Sequence, residues 1–429
     1  MEHSSHSTLS WFTAVGFGLQ RSNFRIAPVS AAVIFVAAVY VDAQAGGVRN
    51  SSPLERHARP PLHINAAPGG PTYYDPGQIR HAYGVDSVRA DGRGQTIAIV
   101  DAYGNPFLQQ DLDTFCWYFG LPKTTVSVYY PQGNPGFFDE GWAGEIALDV
   151  EWAHAIAPGV RLVLVVAKTS ALRDLLGAVD YAADVLGANI VSMSWGSSEF
   201  PEEVLLDSHF QKPGVTFVTA SGDNGEGVQW PAASPYVLSV GGTSLYLDGN
   251  GNYSSEISWS GSGGGISDYE GLPYYQTGWL TLSGRGVPDV SCVADPNTGV
   301  LVVFEGFLFI FGGTSVGAPQ WAGLIALSNS LSGSRRLAFP VNGSIYALAS
   351  LNNTFTIDSN YFYDIRSGSN GEDPDDFATP GYDLVTGLGS PVGQNLVVGL
   401  TTFRPAPPAR SANGNTALPA YQGSRGLSQ

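Results

Sequence analysis

Cysteine is nearly absent from the 429-residue chain: only Cys116 and Cys292 carry a thiol. A disulfide-built scaffold is therefore excluded. A single Cys116–Cys292 bridge in an oxidising compartment and two separate buried thiols both stay open. Positive charge is scarce as well. Lys and Arg number 20 against 37 Asp and Glu, for a formal net charge of -17. Nucleic acids and anionic membrane surfaces need a basic footprint, so neither is an expected partner. Long apolar runs are confined to Ile26–Val41, preceded by Arg21 and Arg25 and followed by Ala43-Gln44-Ala45. That run is short for a membrane span and contains Pro28, so it reads as a secretory signal peptide cleaved after Ala45. What the chain has in quantity is apolar residues, 43%, enough for a sizeable core, and 54 glycines without a collagen-like period. The glycines imply a turn-rich globular protein with backbone-lined sites.

Composition divides the chain into four stretches. Residues 1–45 read as signal peptide and 46–72, rich in Pro, Ser, Gly and Ala, as a linker or short pro-segment. Residues 73–403 read as one catalytic domain and 404–429 as a disordered tail. Within the domain, strand-like and helix-like stretches alternate. Gln95–Asp101, Val160–Ala167, Ile190–Ser194 and Val215–Ala220 are apolar, β-rich runs. Pro106–Phe119, Gly144–Ala157, Ala171–Leu186 and Thr314–Leu331 have helical spacing. Near-continuous apolar strands alternating with helices predict an α/β fold whose mostly parallel central sheet is covered by helices on both faces. Active sites of such sheets gather at the carboxyl ends of the strands. Asp101, Trp195 and Asp223 fall at such ends.

The segment Phe311-Gly312-Gly313-Thr314-Ser315-Val316-Gly317-Ala318-Pro319 joins a glycine turn to a helix start. Ser315 there is either an ordinary helix cap or a nucleophile whose neighbouring amides face an oxyanion. A serine nucleophile needs a base. None of the seven histidines has the surroundings of a subtilisin-type base: His3, His6, His57 and His63 precede residue 72, His81 lies in a short polar helix, and His209 ends an amphipathic one. His154 stands five residues after Asp149, on another side of the helix. Glu145 and Asp149, by contrast, are four residues apart, hence one turn apart on one helix face. Apolar neighbours, Ile146, Leu148, Val150 and Trp152, imply a semi-buried pair that shares a proton and serves as base in acid, where imidazole is already protonated. A solvated acidic stripe is the competing reading.

Glu145-x-x-x-Asp149, Ser221-Gly222-Asp223 and Gly313-Thr314-Ser315-x-x-x-Pro319, in that order, resemble the sedolisin (serine-carboxyl peptidase) family. Tyr73–Val85, Ser192-Met193-Ser194-Trp195-Gly196, Val240-Gly241-Gly242-Thr243-Ser244, Pro288-Asp289-Val290-Ser291 and Asp295–Gly299 are similar to it too, so the likeness spans roughly residues 73–400. It implies a subtilisin-like fold and a secreted, acid-acting endopeptidase. Ser315 would be the nucleophile, Glu145 the base and then acid, Asp149 its tuning partner, and Asp223 an oxyanion-hole donor that must be protonated to donate. Asp101 and Trp195 would extend the carboxylate network. The resemblance also implies one structural calcium, held by the Asp364 and Asp383 side chains and the carbonyls of Ile365, Thr379 and Gly381, a hard-cation donor set. Thr379 departs from a frequent glycine. The intervening Glu372–Asp376 run reads as a solvated loop. The expected partners are protein or peptide substrates, with the chain a monomer. Family precursors usually carry a long pro-region, whereas only residues 46–72 stand between the expected cleavage and the catalytic domain; either folding needs no such helper, or it takes one from elsewhere, or the sequence is a truncated form. A catalytically idle peptide-binding relative, a histidine-dependent subtilisin relative and a tripeptidyl-releasing enzyme are the alternatives; the four intact catalytic positions disfavour the first and the missing His motif the second.

Overall fold

The computed structural model describes residues 52–64, 72–281, 284–332, 340–350 and 355–402. The expected signal peptide and tail lie outside them. The central sheet runs, edge to edge, through Tyr253–Ser258, Val237–Leu247, Thr216–Ala220, Ile190–Met193, Thr96–Ala102, Arg161–Ala167 and Ser127–Tyr129, with Val290–Val293 branching beside Val237–Leu247. Every pairing in it is parallel except that of Tyr253–Ser258. This is the expected mostly parallel architecture. Its strands are near-continuous apolar runs because both faces are covered. Ile97, Ile99, Leu162 and Leu164 enter one core with helices Glu140–Ile156 and Gly317–Leu331; the alternating Ala98, Val100, Val163 and Val165 enter another with helix Leu172–Asp180.

The two helices that carry the motif residues are apolar on all sides, the pattern of a helix sunk in a core. Every residue from Trp142 to Ile156 is buried. Asp139 caps that helix by accepting from the Trp142 amide at 3.0 Å, and Pro158 follows its end. The second helix begins as a tight turn, Thr314–Val316, before Gly317–Leu331.

A hairpin, Thr298–Phe304 with Phe307–Gly312, delivers the chain to that turn. Two buried carboxylates tie it down. Asp111 accepts from the turn amides of Glu305 and Gly306 at 2.9 and 2.8 Å, and Glu151 from the Val303 amide at 2.9 Å. Strands Thr72–Tyr74 and His63–Ile64 flank the hairpin.

Several local expectations change. The helix expected over Ala171–Leu186 is α-helical only to Asp180 and continues as a wider π turn, Tyr181–Val185. His209 ends not an amphipathic helix but a pair of short 3-10 turns, Glu203–Leu205 and Asp207–His209. Of the two readings left open for the cysteines, the structure has the second: Cys116 and Cys292 are separate, buried thiols. The acidic run 372–376 is not wholly solvated: Asp376 is buried and accepts from the Asp373 amide at 2.8 Å, closing a 3-10 turn.

Candidate active site

The sheet and the two buried helices bring five separated segments to one point. Asp101 lies near the carboxyl end of strand Thr96–Ala102, Ser194 just past Ile190–Met193, and Asp223 just past Thr216–Ala220. Helix Glu140–Ile156 packs against the Thr314–Val316 turn, so Glu145 faces Ser315.

Burial here goes beyond the semi-buried pair expected. Asp101, Glu145, Asp149, Ser194 and Ser315 are all fully buried. Both oxygens of Asp101, both of Glu145 and Oδ2 of Asp149 lack a hydrogen-bond donor. A buried ionised carboxylate without donors is costly, so these groups favour the neutral form. Burial, then the Asp149 and Asp101 carboxyls, pushes Glu145 well above the ordinary carboxylate range. The nearby Ser315 hydroxyl draws it partly back. In this resting arrangement no bond of ordinary geometry joins the two, as is common before substrate tightens a site. Burial also raises Asp149, against the pull of the Ser194 hydroxyl, which donates to its Oδ1 at 2.7 Å. Asp101 is raised by burial and by Asp149. Trp195 packs alongside but donates its indole N–H to the Val100 carbonyl at 2.8 Å, so it offers the carboxyls no donor.

Asp223 meets the same turn at Thr314, its side chain 6% exposed. Its Oδ1 accepts from the Thr314 amide and hydroxyl, each at 2.8 Å, and so shapes the turn that presents Ser315. Its Oδ2 lies 3.3 Å from His63 Nε2. Burial raises its proton affinity; His63 and Thr314 lower it. Gly313 adopts φ 113°, open to glycine alone, and a Cβ there would collide with Asp223 Oδ2 and the Pro61 carbonyl.

That Pro61 contact was not legible in sequence. Residues 56–63, from the expected linker, cross the site, tied down by isolated bridges at His57 and Arg59 and ending in the strand His63–Ile64. Leu172 N–H donates to the Arg56 carbonyl and Ala58 N–H to the Ser170 carbonyl, both at 2.8 Å. Arg59 and Gly196 exchange two backbone bonds of 3.0 and 3.2 Å, and His63 pairs with Gly312. His57 bonds Ser170 Oγ at 3.0 Å. His63 lies before residue 72, outside the expected domain, yet it touches Asp223, which in turn raises its pKa against the effect of burial. Ser194 closes the expected strand Ile190–Ser194 and lies in the family-like segment Ser192–Gly196, but no sequence signal gives its hydroxyl a role.

With this geometry in place, likeness to known proteins is informative. The Subtilase family model matches residues 141–337. Kumamolisin of Bacillus sp. (strain MN-32) is 33% identical over 398 residues, covering 81% of this chain and 67% of its own. The chain belongs to the sedolisin family of serine-carboxyl peptidases. Tripeptidyl-peptidase 1 of Dictyostelium discoideum is 31% identical over 378 residues, covering 77% of this chain and 59% of its own. The solved structure of Pseudomonas sedolisin complexed with two molecules of pseudo-iodotyrostatin superposes with a TM-score of 0.69 at 28% identity, over 78% of this chain and 99% of that one. The chain spans 67% of kumamolisin and only 59% of the Dictyostelium relative. Sedolisin-family membership carries the serine-type peptidase class and the subtilisin-like fold.

The residues expected to hold calcium converge on one loop. Asp364 accepts from the Gly381 amide at 3.1 Å and Asp383 from the Thr379 amide at 3.2 Å. Ile365 is buried beside Asp364. Two carboxylates meeting one backbone loop fit a hard cation. The Arg366 guanidinium on Asp364 at 2.8 Å competes with an ion, and so do the Val385 and Thr386 amides and the Thr386 hydroxyl, which donate to Asp383 at 3.0, 2.8 and 3.1 Å. Among the described residues, the three carboxylates closest together are different ones, Glu226, Asp373 and Asp376.

Proposed function

We propose that the chain is a secreted, acid-acting endopeptidase in which Ser315, Glu145, Asp149 and Asp223 form the working group. The observation that carries this reading is the Glu145 carboxyl: fully buried, without a donor of its own, and facing the Ser315 hydroxyl. Ser315 Oγ bonds to the scissile carbonyl carbon while its proton passes to Glu145. Asp149, oriented by Ser194, holds the proton that the pair shares, so that Glu145 is the member left ionised to accept; the negative charge then passes to the carbonyl oxygen. Asp223, neutral in acid, donates from Oδ2 to the carbonyl oxygen as it becomes an oxyanion; its Oδ1 is already engaged by Thr314. The C–N bond breaks and Glu145 returns the proton to the leaving amine. Water then attacks the acyl ester with Glu145 again as base, releasing the acid and restoring the hydroxyl. As pH rises Asp223 ionises, repels the oxyanion and stops donating, so activity is confined to acid.

Secretion rests on the 1–45 signal peptide, whose residues lie outside those described. One structural calcium is assigned to Asp364, Asp383 and the carbonyls of Ile365, Thr379 and Gly381, where it would tie the loop to Asp364 without touching substrate. Substrates are proteins or peptides, and the chain works as a monomer. The test is casein cleavage across roughly pH 3–8, with Ser315→Ala as control. A bell in acid that the variant lacks is expected; equal turnover by the variant removes Ser315 from its role.

A further inference from the structure

Residues 56–63 lie along the cleft in a register that their backbone bonds define. Arg59 is pinned to Gly196 from both its N–H and its C=O. Two residues on, the Pro61 carbonyl stands over Gly313 beside Asp223 Oδ2, the place where the mechanism needs a scissile carbonyl. The scissile position therefore corresponds to Pro61–Leu62. Two side chains then point into the protein, and the cleft treats each differently.

Ala58 is three residues before Pro61. Its backbone is held at Ser170, and it is 1% exposed, while its neighbours His57 and Arg59 face solvent. Its methyl joins the core cluster that includes Ala102, Trp142, Leu172 and Trp195. A wall made of close-packed core has no room to yield, so a larger side chain must displace either that wall or the strand. Leu62, on the far side of the scissile bond, is partly buried against the main core. Its Cδ2 would lie 3.3 Å from a Cβ on residue 144, and Phe311 lines the same space. The pocket beside the base exists because position 144 is glycine.

We propose that this cleft selects its peptides at two positions: a small side chain, Gly, Ala or Ser, at the place of Ala58, and a branched aliphatic one at the place of Leu62. The selection rests on the reading of Ser315 as nucleophile, since that reading assigns the scissile carbonyl. Gly144 is a specificity-determining residue, and the wall at Ala58 sets a size limit.

Internally quenched peptides Arg-His-X-Arg-Pro-Ala-Z-His-Ile, given to the full chain at roughly pH 4, test this, with mass spectrometry confirming the Ala–Z bond as the one cut. Changing X from Ala to Leu or Phe is expected to lower kcat/KM at least about ten-fold, and changing Z from Leu to Gly or Asp by a similar factor. Gly144→Ala is expected to lose its preference for Leu over Ala at Z; the peptide series stands without it if that variant does not fold. Rates equal within about two-fold at both X and Z, or cleavage out of this register, overturn the selectivity. Casein degradation alongside such flat rates leaves Ser315 in its role and removes only the selectivity. No cleavage of casein or of any peptide overturns both.

Discussion

Two buried centres of this protein are built from similar acids and end in opposite states. Asp289, fully buried, spends both carboxylate oxygens on donors: Arg285 at 3.0 and 2.7 Å, the Ser239 amide at 2.9 Å, Asn342 at 2.9 Å and the Tyr346 hydroxyl at 3.0 Å. Asp101, Glu145 and Asp149 are as deeply buried, yet share one strong donor, the Ser194 hydroxyl. The first centre is an ion pair whose carboxylate is fully satisfied, and it joins strands and a helix. The second keeps its oxygens free, which costs stability whenever the acids ionise. Orphaned oxygens are what a proton-accepting group needs, because an oxygen already filled by donors has no reason to take one from Ser315.

Substitutions can break that comparison. The largest effect is expected at the catalytic centre: Ser315→Ala should lower kcat on casein by at least about 10⁴-fold and Asp149→Asn by about 10²–10⁴-fold. Circular dichroism should show the Tm unchanged or raised, since Asn cannot ionise where ionisation is costly. A large Tm loss in Asp149→Asn would make that carboxyl structural. Next, Asp289→Ala strands the Arg285 charge and should cost about 3–5 kcal/mol, on the order of 10 °C in Tm. Its kcat per folded molecule should be unchanged, and a selective loss of activity would erase the distinction between the centres.

Proton linkage gives a third, smaller effect. Burial raises Asp101, Glu145 and Asp149, and pushes Asp207 up to about 6, Glu270 to about 8 and Glu203 to about 9. The folded state then holds more protons than the unfolded one between the ordinary carboxylate range and about pH 9. Stability from these groups is complete below that range and is lost as pH rises through the folded values. Thermal melts should show Tm falling steadily from about pH 5 to pH 9, and less steeply in Asp149→Asn. A Tm that rises over that interval contradicts the assignment of neutral, buried carboxyls. The smallest effect is chelation. Stripping calcium should lower Tm by a few degrees, equivalent to about 2.7 kcal/mol for an ion present at a hundred-fold excess over its Kd. Asp383→Ala should abolish that difference, and a chelator-insensitive Tm removes the calcium.

Much of this was legible because it is local. The strands Thr96–Ala102 and Arg161–Ala167 announce themselves as apolar runs, and helix periodicity alone puts Glu145 and Asp149 one turn apart. Ser315 is marked by the glycines before it. The depth of the site was not legible: helix Glu140–Ile156 is buried all round only because Gly317–Leu331, the hairpin and the sheet close on it from separate directions. His63 and Ala58 escaped for a related reason. A Pro-rich stretch with few apolar residues reads as linker, and its order comes from backbone bonds to Ser170, Leu172 and Gly196, residues more than a hundred positions away. Asp376 looked solvated within an acidic run, yet it is turned inward to close its own 3-10 turn.

The order of residues by itself determined the alternating α/β pattern, the helical pairing of two acids and the hydroxyl at a helix start. These follow from spacing within one segment, which the backbone converts directly into position. Only the tertiary structure decided which acids lose their water, which donors they find, and which peptide side chains have room beside them. Desolvation and packing belong to groups brought together from distant parts of the chain, and no single stretch contains them.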